Sequence, residues 1–320
     1  MNMFVKTFNQ IKDNDINLAG GKGLSLSRMI RNKFSVPSGF IVLASTFDQF
    51  LKETDINLEI NAMWNRLNIK DVENIEENSE IIKGIILKKK FPEDLGKEIL
   101  TAFDKLRVKY VAVRSSATAE DSKIDAWAGQ LESYLYVTKN SLLKNIQECW
   151  VSLYTPRALF YRVERGLTRK QVSVAVVIQK MINSEVSGVC FTVHPVTQDK
   201  DQMIIEACWG LGEALVQGII TPDSYVVGKS TLNLVDLNIN SQEKQIVRGG
   251  KTTILKEVAK HKQEKQKLSE KYIIKLASVC KQIENYYGEP QDIEWALEKG
   301  KLYIIQSRPI TTLNYEDKIF

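Results

Sequence analysis

A mixed α/β (α+β) fold in two lobes is what this sequence predicts, and three observations carry that expectation. The chain has 320 residues, and at roughly 150 residues per domain this length suits two domains or one large bilobal unit. Its 43% hydrophobic and 26% charged residues are ordinary for a globular chain, which excludes wholesale disorder and collagen-like repeats. β-branched runs alternate irregularly with segments of helical spacing, which excludes an all-β protein or a pure helix bundle. There is no internal repeat and no low-complexity linker. Residues 1–320 therefore read as a single unit, with lobes dividing near 1–185 and 186–320.

The elements follow in order. Residues 1–105 mix short strands with helices; Leu24 to Asn32 is helical and must stop before Val36-Pro37-Ser38-Gly39. The acidic stretch Asp71 to Glu80 is a helix surface or a loop. Val108 to Arg114 is an apolar strand running into a polar turn, Ser115 to Asp121. Leu142, Leu143, Ile146, Trp150 and Leu153 recur at helical spacing, and Thr155-Pro156 opens a second helix that Gly166 can end. Val172 to Met181 and Val186 to Val193 are β-branched strands. Met203 to Ala207 is another, followed by a glycine loop (Gly210, Gly212) and a helix through Val216. Residues 256–287 read as one long charged helical region. Asp292 to Leu297 and Lys301 to Gln306 form a hairpin turning at Lys299-Gly300.

Charge and cysteine usage narrow the function. The net charge of +5 (44 − 39) suits an anionic small molecule. The basic stretches Lys88–Lys90 and Lys260–Lys271 carry no interleaved aromatic residues, so they read as solvated faces and no nucleic acid is expected. Cys149, Cys190, Cys208 and Cys280 lie far apart with no CxxC pair, which fits reduced, buried thiols and a cytoplasmic location. Only two histidines are present, His194 and His261, too few for a His-rich metal site. The N-terminus lacks an apolar signal core, and no apolar run approaches the roughly 20 residues of a membrane helix.

Familiar phosphate motifs fail when tested. Val226 to Thr231 tempts a P-loop reading, but the required glycine is Asp223. Gly210-Leu211-Gly212 tempts a dinucleotide reading, but the third glycine is Leu215. The protein-kinase HRD and DFG signatures are absent.

Four segments stay polar where a fold alone would not need it. Leu18-Ala19-Gly20-Gly21-Lys22-Gly23 is a glycine loop opening a helix, where free backbone N–H groups and a lysine can hold phosphate oxygens; a turn with an exposed lysine is the competing reading. Val111-Ala112-Val113-Arg114 ends an apolar strand on a guanidinium that needs an anionic partner, either a ligand or nearby Asp121. Ala128-Gly129-Gln130-Leu131-Glu132-Ser133 has the small residues of a flap. In the terminal hairpin, pairing Glu298 with Leu302 sets Glu294 opposite Gln306 and Asp292 opposite Arg308, on one face of the sheet. Ile293, Trp295, Leu297, Tyr303 and Ile305 would form the core face. Carboxylate and amide oxygens suit Mg²⁺, and the arginine suits a transferring phosphoryl group. A salt-bridged surface is the alternative, and a one-residue slip would separate Glu294 from Gln306.

These segments, in this order, resemble the N-terminal ATP-binding domain shared by phosphoenolpyruvate synthase, pyruvate phosphate dikinase and rifampin phosphotransferase. The resemblance is carried by Gly20-Gly21-Lys22-Gly23, Val113 to Asp121, Ala128-Gly129-Gln130, Gly188 to Thr192, Gly210 to Val216, Asp292 to Trp295 and Gln306-Ser307-Arg308-Pro309. It covers about residues 8–313.

The resemblance implies an ATP-grasp-like fold, with ATP in the cleft between two lobes. Lys22 and Arg114 would contact the phosphates, Gly129 and Ser133 would lie in the flap, and Gln179 would sit at the adenine-binding hinge strand. Glu294 and Gln306 would hold Mg²⁺, with Asp292 as a further candidate and Glu206 a weaker one. Arg308 would contact the transferred phosphates, and Lys22 and Arg308 would be the catalytic pair.

Relatives pass a phosphoryl group from ATP to a histidine on a swivelling domain, leaving AMP and phosphate, and then to an acceptor on a third domain. Neither domain is in this sequence, and His194 and His261 are poor carrier candidates. The expected partner is a phosphohistidine-carrier domain or subunit, with pyruvate or another small molecule as acceptor. The alternatives are a non-catalytic ATP-binding module and a stand-alone ATP-grasp ligase forming an acyl phosphate.

Overall fold

An antiparallel sheet of five strands organises the first half of the computed structural model, which describes residues 3–117, 133–164, 173–250 and 252–310. Its strands are β1 (Val5–Thr7), β2 (Gly39–Val42), β3 (Val111–Ala117), β4 (Ser133–Val137) and β5 (Val174–Lys180), in spatial order β1-β2-β5-β3-β4. Strand side chains alternate between faces. On one face Val111, Val113, Val174, Val176 and Ile178 bury into a core supplied by helices. Those helices are α2 (Ala44–Glu53), α3 (Asn57–Arg66), α4 (Val72–Lys88), α5 (Glu93–Leu106), α6 (Lys139–Val151) and α7 (Pro156–Glu164). Trp150 anchors that core, its ring 5.2 Å from Phe47, 5.0 Å from Phe50 and 5.5 Å from Phe91.

Local signals explain where these helices begin. Asp71 caps α4 by accepting the Asn74 amide, so the acidic stretch is helical. Thr155 Oγ1 accepts the Ala158 amide at 3.3 Å, which makes Thr155-Pro156 the helix opening its sequence implies. On the opposite face of the sheet lies α1 (Ile16–Arg31), which begins eight residues before Leu24 and is broken at Gly20. The segments Thr118–Asp121, Ala128–Glu132 and Gly166 lie outside the described residues.

The second half is built on six antiparallel strands. These are β6 (Val186–Phe191), β7 (Gln202–Trp209), β8 (Asp223–Gly228), β9 (Asn233–Asn238), β12 (Gln291–Glu298) and β13 (Lys301–Pro309), in order β13-β12-β6-β7-β8-β9. A separate hairpin pairs β10 (Lys244–Gly249) with β11 (Thr252–Glu257). The short helix α8 (Glu213–Val216) follows the glycine loop. The expected single helix over 256–287 is instead the end of β11, the short α9 (Lys260–Gln263) and α10 (Glu270–Tyr287). Between α9 and α10 the chain is pinned by a fully buried ion pair, Lys267 Nζ to Asp223 Oδ1 at 2.7 Å. Asp223 also accepts the Tyr225 hydroxyl and the backbone amides of Asn240 and Lys267. Helix α10 buries Ile273, Leu276, Ala277, Cys280 and Ile283, and its Cys280 meets Cys190 of β6. All four cysteines are free and buried.

The chain forms two units, Met1–Arg28 with Ser38–Met181, and Met29–Pro37 with Ile182–Phe320. The chain passes from the first unit to the second between Met181 and Ile182. Residues 29–37, however, belong with the second unit, where Ser35 O accepts the Ile304 amide of β13 at 2.9 Å. Among the described residues no helix is long and apolar enough to cross a membrane.

Candidate functional site

The first unit gathers its polar residues on the face that α1 covers. Register places Lys6, Ile41, Val177, Arg114 and Ser133 in one row across all five strands. Gln179 lies in the adjacent row, between Gly39 and Ala112. Because paired residues share a face, Arg114, Ser133 and Gln179 point the same way. Arg114 and Gln179 are buried, at 9% and 2% exposure, while Ser133 is exposed at the start of β4. Lys22 joins them from α1, its Nζ donating to Ser115 O at 2.7 Å. Four of the residues singled out in the sequence for phosphate and adenine contacts thus sit on one side of one sheet. Gly129 lies outside the described residues.

The glycine segment differs from a simple helix-opening loop. Helical turns precede as well as follow it, and Gly20 breaks the run at φ 68, ψ 170, a conformation essentially confined to glycine. The N–H of Gly23 is already taken, donating to Ser116 Oγ at 3.2 Å. That amide is therefore not one of the phosphate donors the sequence offered.

In the second unit, one row of paired residues crosses all six strands: Gln306, Glu294, Val189, Glu206, Ser224 and Asn238. The neighbouring row begins Arg308, Asp292, Phe191, Ile204. The pairings expected at the site, Glu294 with Gln306 and Asp292 with Arg308, are present. The expected path to them is not. Glu298 pairs with Lys301, around a turn whose Lys299 and Gly300 both have positive φ (50° and 74°), the geometry of a two-residue type I′ hairpin. A bulge between Glu294 and Trp295 then restores the register. As a result Leu302 and Ile304 are the buried apolar residues of β13, not Tyr303 and Ile305.

Electrostatics distinguish the members of this face. Arg308 holds Asp292 with both Nε and a terminal nitrogen 2.8 Å from Oδ2. Burial nevertheless pushes the Asp292 carboxyl above its ordinary range, with Glu294 adding repulsion and Arg308 opposing it. Burial likewise raises Glu206, and the charge of Asp292 adds to that. Asp292 is thus engaged as the partner of Arg308. Gln306 is 8% exposed, and its Oε1 is buried without a hydrogen-bond donor among the described residues. A buried acceptor left unmet is costly in a protein. Glu294 is the cross-strand partner of Gln306, so this row offers a carboxylate and an amide oxygen, the hard donor types that suit Mg²⁺. Among the described residues no three His, Cys, Asp or Glu side chains form a closed metal cluster, so a cation here would take its other ligands from phosphate and water.

Neither histidine lies on a strand of this sheet. His194 Nδ1 accepts the amides of Val196 and Thr197 at 3.3 and 3.2 Å, capping a turn. His261 is exposed on α9.

Two antiparallel sheets with flanking helices, each sheet gathering polar residues on one face, define an α+β fold. Residues 16–319 match the family described as "Pyruvate phosphate dikinase, AMP/ATP-binding domain", and the chain belongs to that family. It is similar to the probable phosphoenolpyruvate synthase of Archaeoglobus fulgidus, 44% identical over 96% of this chain and 42% of the relative. The corresponding protein of Methanocaldococcus jannaschii is 41% identical over 97% of this chain and 27% of its own length. The rifampicin phosphotransferase of Bacillus cereus is 38% identical over 98% of this chain and 36% of its length. The chain therefore spans less than half of each of these relatives.

Proposed function

We propose that this chain is the Mg-ATP-binding, phosphoryl-donating part of a dikinase-type phosphotransferase. It would turn ATP into AMP and phosphate by way of a carrier histidine on another domain or chain, for an acceptor such as pyruvate or another small molecule. The observation that carries this reading is the unmet Oε1 of Gln306 beside Glu294, one row from the Arg308–Asp292 pair. An ATP-grasp-like arrangement and a cytoplasmic location accord with the α+β fold and the four free thiols.

In this reading Glu294 and Gln306 would hold Mg²⁺, which would offset the negative charge of the phosphates. Arg308, steered by Asp292, places its guanidinium against the phosphoryl group as charge develops. Lys22 and Arg114 hold the remaining phosphates, with Gly129 and Ser133 over them, and Gln179 borders the adenine. Each contributes position and charge rather than a covalent step, which is how phosphoryl transfer is generally assisted.

The test is nucleotide binding and AMP release by the chain alone and with a carrier-histidine domain supplied separately. Lys22→Ala and Arg308→Ala should each weaken ATP binding or transfer, and AMP should form only with the carrier present. Wild-type behaviour of both variants, or rapid AMP release without a carrier, contradicts the proposal.

A further inference from the structure

Ser116 occupies a place in the structure that its position in a β-strand does not announce. In an unbroken α-helix the amide of residue 23 would donate to the carbonyl of residue 19. Gly20 breaks α1 between those two groups, and the Ser116 hydroxyl takes up both ends. Its Oγ donates to Ala19 O at 2.9 Å and accepts from Gly23 N at 3.2 Å, both buried. A side chain inserted into the helical ladder is a recognised cause of a sharp kink. Here the inserted group comes from β3, two residues beyond Arg114 and on the same face.

The fit leaves no room for an ordinary residue at the break. A Cβ on Gly20 would lie 2.3 Å from Ser116 Oγ and 2.4 Å from Ser116 O. Lys22, the second residue after the break, reaches the same strand through its bond to Ser115 O. The break, the lysine and the strand that carries Arg114 are thus held together at residues 115 and 116.

We propose that Ser116 is the positioning residue for Lys22: its hydroxyl holds the helix open at Gly20 and so sets where the lysine ammonium stands relative to Arg114. This rests on the reading of Lys22 as a phosphate contact. Without the hydroxyl, Gly23 N–H and Ala19 O are left to find one another, the helix closes across the break, and Lys22 rotates with it. The nucleotide phosphates should feel this change; the nucleoside should not.

The experiment compares the whole chain with its Ser116→Ala and Ser116→Thr variants, folding being checked by cooperative thermal unfolding. Amide hydrogen exchange at Gly23, followed without nucleotide, reads the break itself; ATP and adenosine titrations read its consequence. Ser116→Ala should change Gly23 exchange and weaken ATP roughly tenfold or more, because small misplacements of a binding group are costly. Adenosine affinity should hold, and Ser116→Thr, which keeps the hydroxyl, should recover ATP binding. Unchanged Gly23 exchange in Ser116→Ala overturns the proposal, as does equal loss of ATP and adenosine. Changed exchange in a protein whose wild type binds no ATP would uphold the role of Ser116 in the break and refute the functional reading instead.

Discussion

Glu294 on β12 lies directly opposite Gln306 on β13, and the bulge between Glu294 and Trp295 is what puts them there. From the turn outward the strands begin in a register that would set Glu294 against Ile305. The bulge adds one residue to β13, and beyond it a carboxylate and an unmet amide oxygen share a row. A buried acceptor without a donor among the described residues lowers stability, and under the proposed function a bound cation would meet it.

That cost can be measured. Gln306→Leu removes the buried acceptor and should leave stability to urea unchanged or raise it by up to about 1 kcal/mol, while Mg²⁺ no longer improves ATP binding. A variant that loses stability as well as binding would make Gln306 a structural residue.

Glu206 gives a pH prediction. Its folded pKa is raised by burial and by Asp292, so the folded state takes up its proton more readily than the unfolded chain. The carboxyl therefore favours folding when protonated, and that contribution is lost as pH rises from its ordinary value near 4.5 through the raised one. Glu206→Gln should accordingly raise the free energy of urea unfolding at pH 7 by a few tenths to about 1 kcal/mol for a half-buried group. The gain should vanish near pH 4. A gain that is constant with pH would exclude the charge as its cause.

The Asp223–Lys267 pair is fully buried, and removing one partner leaves a charge stranded. Lys267→Met should cost about 3–5 kcal/mol, measured by denaturant unfolding. Asp223→Asn added to it should restore part of the loss, since the two residues act on each other. A near-neutral single variant would show that the pair does not pin the segment before α10.

How far the sequence carries the structure depends on the range of the forces involved. Local patterns were readable: Thr155-Pro156 opens a helix, Lys299-Gly300 turns a hairpin, and Val174–Lys180 is apolar enough to be a central strand. The site row is legible only because the offset at a two-residue turn and the later bulge compensate: Glu294 meets Gln306 as its sequence implies, while between turn and bulge Leu302 and Ile304 take the buried places expected of Tyr303 and Ile305. Strands β9 and β11 are mostly exposed and β10 buries only Ile246, so none of the three carries an apolar alternation that marks a strand. The ion pair that interrupts 256–287 joins residues 44 apart. The Ser116 insertion joins residues 93 and 97 apart. Neither leaves a local trace.

The most direct measurement is calorimetric titration of ATP, with and without Mg²⁺, into the chain and its Glu294→Ala variant. The account predicts that Mg²⁺ tightens ATP binding by roughly tenfold or more in the wild type, worth about 1.4 kcal/mol. In Glu294→Ala the Mg²⁺ enhancement should disappear while Mg²⁺-free binding stays within about threefold. The same Mg²⁺ enhancement in both proteins, or none in either, would contradict it.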